Sequence, residues 1–382
     1  MIKQKQQNKH YLEKENILLY LFIILSVIFI FFTNSNQELL SLNKHSGASS
    51  KLYYLSISEN FPDVATIINY HHAQRFIIPY LIGLFSKISN IDIFFTFKAI
   101  MYLEFLLIFI IKLRLVKLLE IDFYSSLIFF SIFIFNPYLL RYFIIYPEMI
   151  VDLTFILSGY FFIYSIATKQ INFFFIAFVL ALVSRQTGVA FFISLVISSF
   201  FYKQDLFINK KNTILISLIL VIVYFFIFIY LKRAGLEEIP SDAVFGLLKY
   251  TINEINLFDL ITFFLLPLIV LLPFFLLAFN RKFRILDAFK SPKGFFLILA
   301  LAIILAQPIL GGPSWTGKNI IRLTLLGYPI ISYLILCYSD LRYIYSKVFI
   351  FFIFIFFIFW SFHPSYSTIG IFKFLHVEPL IK

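Results

Sequence analysis

Apolar stretches of about 17 to 25 residues recur along the chain, the length that crosses a hydrocarbon layer of about 30 Å as a helix. Short polar connections separate them. The pattern predicts spans at 16–33, 93–111, 123–145, 147–166, 170–183, 187–201, 212–231, 257–279, 294–311, 322–338 and 348–362. These eleven crossings put the N-terminus in the cytoplasm and the C-terminus outside. The apolar segment FIIPYLIGLFSKI (76–88) is too short to cross, so it is expected as a surface or re-entrant helix. The expected fold is an all-α polytopic integral membrane protein with about 11 transmembrane helices. Its outer loops are the long ones, at about 34–92, 232–256 and 311–321. Neither an internal repeat nor a soluble domain is visible, so residues 1–382 read as a single membrane-embedded domain.

Charge supports this count. The loop RKFRILDAFKSPK (281–293) concentrates Arg281, Lys282, Arg284, Lys290 and Lys293. Basic loops stay on the cytoplasmic side, and that cluster would face outward if 76–88 crossed. Lys112, Arg114 and Lys117 are expected in another cytoplasmic connection. The N-terminal flank MIKQKQQNKHYLEKEN is long for a signal peptide. No small-x-small cleavage site follows the first apolar run, so an uncleaved anchor is expected.

Composition agrees. The 382 residues are 61% hydrophobic and 14% charged, with a mean hydropathy of +0.92. Soluble chains are about half apolar and about 25% charged. The net charge of +12 lies in short loops rather than in block tracts, which argues against a nucleic-acid partner. A lone cysteine, Cys337, excludes an internal disulfide and a cysteine metal site.

Four stretches carry candidate chemistry. GPSWTGKN (312–319) imitates a phosphate-binding loop, but Asn319 lacks the hydroxyl that binds Mg²⁺, and an apolar helix precedes it where a strand is required. Lys318 and Arg322 stand four apart, on one face of the following helix, and read as an anion site or as residues reaching toward headgroups. In PDVATIINYHHAQRFIIPY (62–80) a helix beginning at Pro62 and Asp63 would put Val64, Ile67, Ile68, His71 and Arg75 within an arc of about 100°. A phosphate site near Asp63 and a lipid-binding interfacial helix both fit that pattern. In RYFIIYPEMIVDLTF (141–155), Pro147 breaks a helix, and Glu148 and Asp152 share a face of the next. Intramembrane carboxylates cost about 2.5 kcal/mol or more, so they face a cavity or a partner; Arg141 is the candidate partner. LVSRQTGVAF (182–191) sets Arg185 between two apolar runs. Lys98 and Glu104, inside the 93–111 span, are expected to find partners on other helices.

The stretches HHAQRFIIPYLIGL, YPEMIVDLTFILSGYFFIYS, LALVSRQTGVAFF and GKNIIRLTLLGYPII resemble, in that order, bacterial mannosyltransferase-like membrane glycosyltransferases of the GT-C class. The resemblance runs from about residue 50 to 340 of this sequence. It implies an active site at the extracytoplasmic face of the bacterial inner membrane and a polyprenyl-phosphate sugar donor. The acceptor, whether glycan, lipid or protein, is left open. It also implies roles: Asp63 (then Glu59) as general base, and Glu148 with Asp152 orienting substrate. His71, Arg75, Arg185, Lys318 and Arg322 would hold the lipid phosphate. No cofactor is implied, and the sparse acids of the first outer loop do not favour a divalent metal. One departure stands: GASSKLYYLSISENF has no acid before Tyr53 or Tyr54, where such enzymes carry one. A lipid-linked sugar flippase, a small-molecule transporter and an inactive scaffold remain alternatives.

Overall fold

The computed structural model describes residues 17–32, 48–65, 68–136, 138–202, 210–236, 283–315 and 320–339, with scattered helical positions between 261 and 278 and at 355. Among them every regular element is helical. The expected spans 257–279 and 348–362 and the turn 316–319, with Lys318, fall largely or wholly outside the described residues.

In chain order the helices are α1 (Ile17–Phe32), α2 (Ala48–Glu59), α3 (Tyr70–Ala73), α4 (Ile77–Ser89) and α5 (Ile93–Leu118). Next come α6 (Phe123–Ile134), α7 (Leu140–Ile145), α8 (Ile150–Thr168), α9 (Ile171–Ser184) and α10 (Val189–Phe201). The rest are α11 (Lys210–Arg233), α12 (Ile285–Lys290), α13 (Pro292–Trp315), α14 (Ile320–Thr324) and α15 (Tyr328–Cys337). The 3₁₀ turns Pro147–Met149, Gln186–Gly188 and Leu325–Gly327 lead into α8, α10 and α15.

Among the described residues, four helices are long and apolar enough to cross a membrane: Ile93–Leu118, Pro147–Thr168, Lys211–Arg233 and Pro292–Leu310. Six further apolar helices among the described residues are shorter. On α11 the side chains of Ile214, Leu218, Val221, Phe225 and Phe228 are exposed at helical spacing. An apolar stripe of that extent fits a lipid-facing surface. The chain is therefore compatible with membrane embedding, with α8 innermost. Helix α8 buries nearly all its side chains and packs against α5, α9 and α15. Its approach to α15 is close: a Cβ added at Gly159 would lie 2.9 Å from Cγ of Pro329.

Three expected elements change. The run 123–145 is not one helix, because α6 stops at Ile134 and α7 begins at Leu140. Asn136 makes the break: its Oδ1 accepts from the Tyr138 N–H at 2.9 Å, and its carbonyl accepts from Leu139 at 3.1 Å. Pro137, next in sequence, has no N–H to continue a helix.

The single helix expected over 62–80 is also divided. Residues 64, 65, 68 and 69 are irregular, and α3 starts only at Tyr70. Ile68, just before the new helix, is β-branched and stiff at χ1. Asn69 then caps the new helix, its Oδ1 accepting from the His72 N–H at 3.1 Å. Helix α4 follows as the short apolar helix expected at 76–88.

The third change concerns Lys112. Helix α5 runs on to Leu118, so Lys112 is not in a cytoplasmic connection but fully buried in the bundle. Its Nζ donates to Phe129 O at 2.8 Å, Tyr328 OH at 2.9 Å and Tyr160 OH at 3.2 Å. These are three acceptors for the three N–H groups of an ammonium. The Phe129 ring centroid lies 3.5 Å from Nζ, and the rings of Phe130, Phe133, Tyr160 and Tyr328 lie within 5.4 Å. Aromatic faces attract a cation.

The Gly159–Pro329 contact gives the first prediction. Gly159→Val should destabilise the protein by about 1–3 kcal/mol, because the branched side chain must push α15 off α8. Thermal unfolding in detergent measures it, and an unchanged midpoint would disprove the close approach.

Candidate functional site

The end of the bundle where α8 begins gathers most of the charged residues singled out above. Pro147 cannot continue a helix, so the chain enters α8 through a 3₁₀ turn. That turn carries Glu148, which is buried beside Tyr146. Asp152 follows in the first turn of α8 and is fully buried.

Arg185 reaches Asp152 from the end of α9. There the backbone turns extended (φ −153°, ψ 147°) before the Gln186–Gly188 turn folds back over the helix. The fold-back demands glycine, since a Cβ at Gly188 would meet the Ala181 carbonyl at 2.5–2.6 Å. The Arg185 Nη1 donates to Asp152 Oδ1 in a buried ion pair. Arg322 arrives on α14, with Nε 3.1 Å from Asp152 Oδ2. Its N–H does not point along that line, so the contact is an ion pair without hydrogen-bond geometry. Arg322 Nη1 donates instead to Tyr142 OH at 2.9 Å.

Arg75 completes the group from just after α3. It is 8% exposed, donating through Nε to Gln186 Oε1 at 3.1 Å and through Nη1 to Tyr54 OH at 3.2 Å. Gln186 in turn donates to the His71 carbonyl at 3.3 Å and to Gln74 Oε1. Arg75, Arg185 and Arg322 all act on Asp152 through their charge. Three guanidiniums thus face one carboxylate, which leaves the cluster with an excess of positive charge.

The histidines of α3 respond to that excess. Burial, then the charges of Arg75 and Arg185, lower the His71 pKa to about 4. Burial, followed by Arg75, Arg322, His71 and Arg185, lowers that of His72 to about 2. Both rings are neutral at pH 7.

Of the expected site residues, Asp152, Arg75, Arg185 and Arg322 come together, with His71 within electrostatic reach. Glu148 lies in the same entry turn. Asp63 does not join them. It stands exposed in the turn after α2, and no hydrogen bond or ion pair ties its carboxylate to the cluster. The helix start expected to aim it does not form. Glu59 ends α2. Asp152 takes its partners from α9 and α14 and not from Arg141, which is buried in α7. Glu104 does find another helix, accepting from Thr154 Oγ1 at 2.6 Å. The Lys98 ammonium lies 4.6 Å from the Phe94 ring centroid.

Tyr54, Tyr142, Gln186 and His72 were not singled out by the sequence pattern. Each is a neutral polar residue beside a charged or aromatic one, and only the tertiary fold turns it inward. Among the described residues, no group of three His, Cys, Asp or Glu side chains is gathered that could hold a metal ion. No protein-family model, curated protein or solved structure matches the chain.

Two predictions follow from the charges. Asp152→Asn should cost about 3–5 kcal/mol, because two buried guanidiniums lose their counter-charge; a thermal midpoint close to the parent's would refute the shared pairing. The histidines act on acid stability. Their folded pKa values lie below the unfolded value of about 6.5, so the unfolded chain takes up protons first as pH falls. Stability should be full above pH 6.5 and decline from there toward pH 4. Replacing both histidines with glutamine should flatten melting temperature against pH across that window.

Proposed function

We propose that this chain is a glycosyltransferase that binds the phosphate of a membrane-borne polyprenyl carrier at Arg75, Arg185 and Arg322. It passes the carrier's sugar to an acceptor at the extracytoplasmic face. The observation that carries this reading is the surplus of guanidinium charge, buried at one end of an apolar bundle and fixed by Asp152, Tyr54, Tyr142 and Gln186. Guanidinium groups match phosphate oxygens in geometry as well as charge. An apolar surface beside them suits the lipid that carries the phosphate.

The arrangement also suits catalysis. In a single displacement at the anomeric carbon, the C–O bond to the carrier phosphate breaks and its electron pair moves onto that phosphate. Donors already in place stabilise charge that develops during the reaction, without reorganising. Asp152 holds two of them in position. In this reading Glu148 orients the sugar, and Lys318, four residues before Arg322, adds further charge. The chain sits in the bacterial inner membrane with its N-terminus in the cytoplasm.

Reconstituted vesicles tested with a panel of labelled polyprenyl-phosphate hexoses and pentoses decide the matter. Transfer to an acceptor is expected. Arg75→Gln should weaken carrier binding by about tenfold to a hundredfold, the value of one or two charged hydrogen bonds. Movement of the lipid-linked sugar across the bilayer without transfer would make the chain a flippase instead.

A further inference from the structure

A sugar acceptor must lose a hydroxyl proton, and the residues at this site differ in their ability to take it. Asp152 is engaged by two arginines. Asp63 is exposed and apart from them. His72 is differently placed.

Its ring is held on three sides. Tyr53 lies 4.6 Å from it and Tyr54 5.1 Å, centroid to centroid, the latter edge-on. Its Nδ1 is 2.6 Å from Asn69 Oδ1. The same Asn69 atom accepts from the His72 backbone N–H at 3.1 Å. A backbone N–H can only donate, so the Asn69 atom facing it is the carbonyl oxygen. An oxygen can only accept, so Nδ1 must carry the hydrogen. In the neutral ring the lone pair then lies on Nε2, which takes no hydrogen bond among the described residues. Asn69 thus fixes both the tautomer and the tilt of the ring, the part that a carboxylate plays for many catalytic histidines. Arg75, which follows three residues later, and Tyr54, which binds Arg75, tie this ring to the cluster.

We infer that Nε2 of His72 is the proton acceptor for the attacking hydroxyl, an assignment that rests on the transfer reading above. The balance is complete. The hydroxyl hydrogen passes to Nε2 as its oxygen bonds the anomeric carbon; the bond from that carbon to the carrier phosphate breaks, and the electron pair leaves with the phosphate. The arginines that oppose a proton on His72 are the groups that the leaving phosphate neutralises. As negative charge builds on that phosphate, the field opposing an imidazolium weakens, so the ring gains basicity along the reaction coordinate.

The test uses the full chain in lipid nanodiscs. Diethyl pyrocarbonate acylates neutral imidazole at a free lone pair. In a His71→Gln background at pH 7, mass spectrometry should find His72 acylated, with polyprenyl phosphate slowing the reaction at least tenfold. His72→Ala should lower transfer at least a hundredfold, keep the Kd for polyprenyl phosphate within threefold of the parent, and recover part of its rate in added imidazole. Asp63→Asn should transfer within threefold of the parent. Inert or unprotected His72, His72→Ala within threefold of the parent rate, or loss of transfer in Asp63→Asn would each overturn the assignment. A parent chain that moves no sugar, yet shows lipid-protected acylation, overturns the transfer reading while supporting His72 as the lone pair facing the anion site.

Discussion

One carboxylate organises this end of the molecule. Asp152 is buried at the start of α8 and shared by Arg185 from α9 and Arg322 from α14. Removing three charges from water is costly, and buried pairs seldom return that cost as stability. They do impose geometry. The carboxylate fixes where α9 may end and where α14 may begin. Arg75 then docks on Gln186, the residue after Arg185, and so brings the segment between α2 and α4 down onto the bundle. Without Asp152 the guanidiniums would repel one another, and Gln186, on which the loop bearing His71 and His72 docks, would lose the neighbour that places it.

How much of this was legible in the sequence depends on how local each cause was. Pro147, Glu148 and Asp152 announce a helix start because proline acts on its own backbone. Arg185 and Arg322 stand out because charge is rare in apolar runs. Pairing is not local: nearby Arg141 is the candidate for Glu148 or Asp152 in the sequence, whereas Asp152 pairs with residues 33 and 170 positions away. The wheel drawn over 62–80 picked His71 above His72 because it assumed a helix that Asn69 interrupts. Lys112 was misplaced for a different reason. The expected span ends at 111, whereas a ring of aromatic side chains from other helices makes Lys112 an interior residue.

Below the arginines, α5 and α8 run in the same direction and carry two further polar levels. Thr154 meets Glu104 just under Asp152. Eight residues further along α5, about 12 Å at 1.5 Å per residue, Lys112 meets Tyr160 and Tyr328. The contact between α8 and α5 is thus registered by polar contacts at fixed depths. On the side of α8 that faces α15 the fit is steric, at Gly159 and Pro329. Such levels prevent α5 and α8 from sliding along each other, a freedom that an all-apolar interface in lipid would leave.

The surroundings of Lys112 also set an order for assembly. The residue emerges with α5, but all three of its oxygen partners are synthesised later, Phe129 after 17 residues, Tyr160 after 48 and Tyr328 after 216. An amine in hydrocarbon without acceptors is unfavourable, so α5 cannot settle in its final place when it is first inserted. The acceptor set of Lys112 is complete only when Tyr328 arrives at the start of α15. The first half of the chain is therefore completed by the second, and a ribosome stalled before α15 would leave a bundle whose centre is still open.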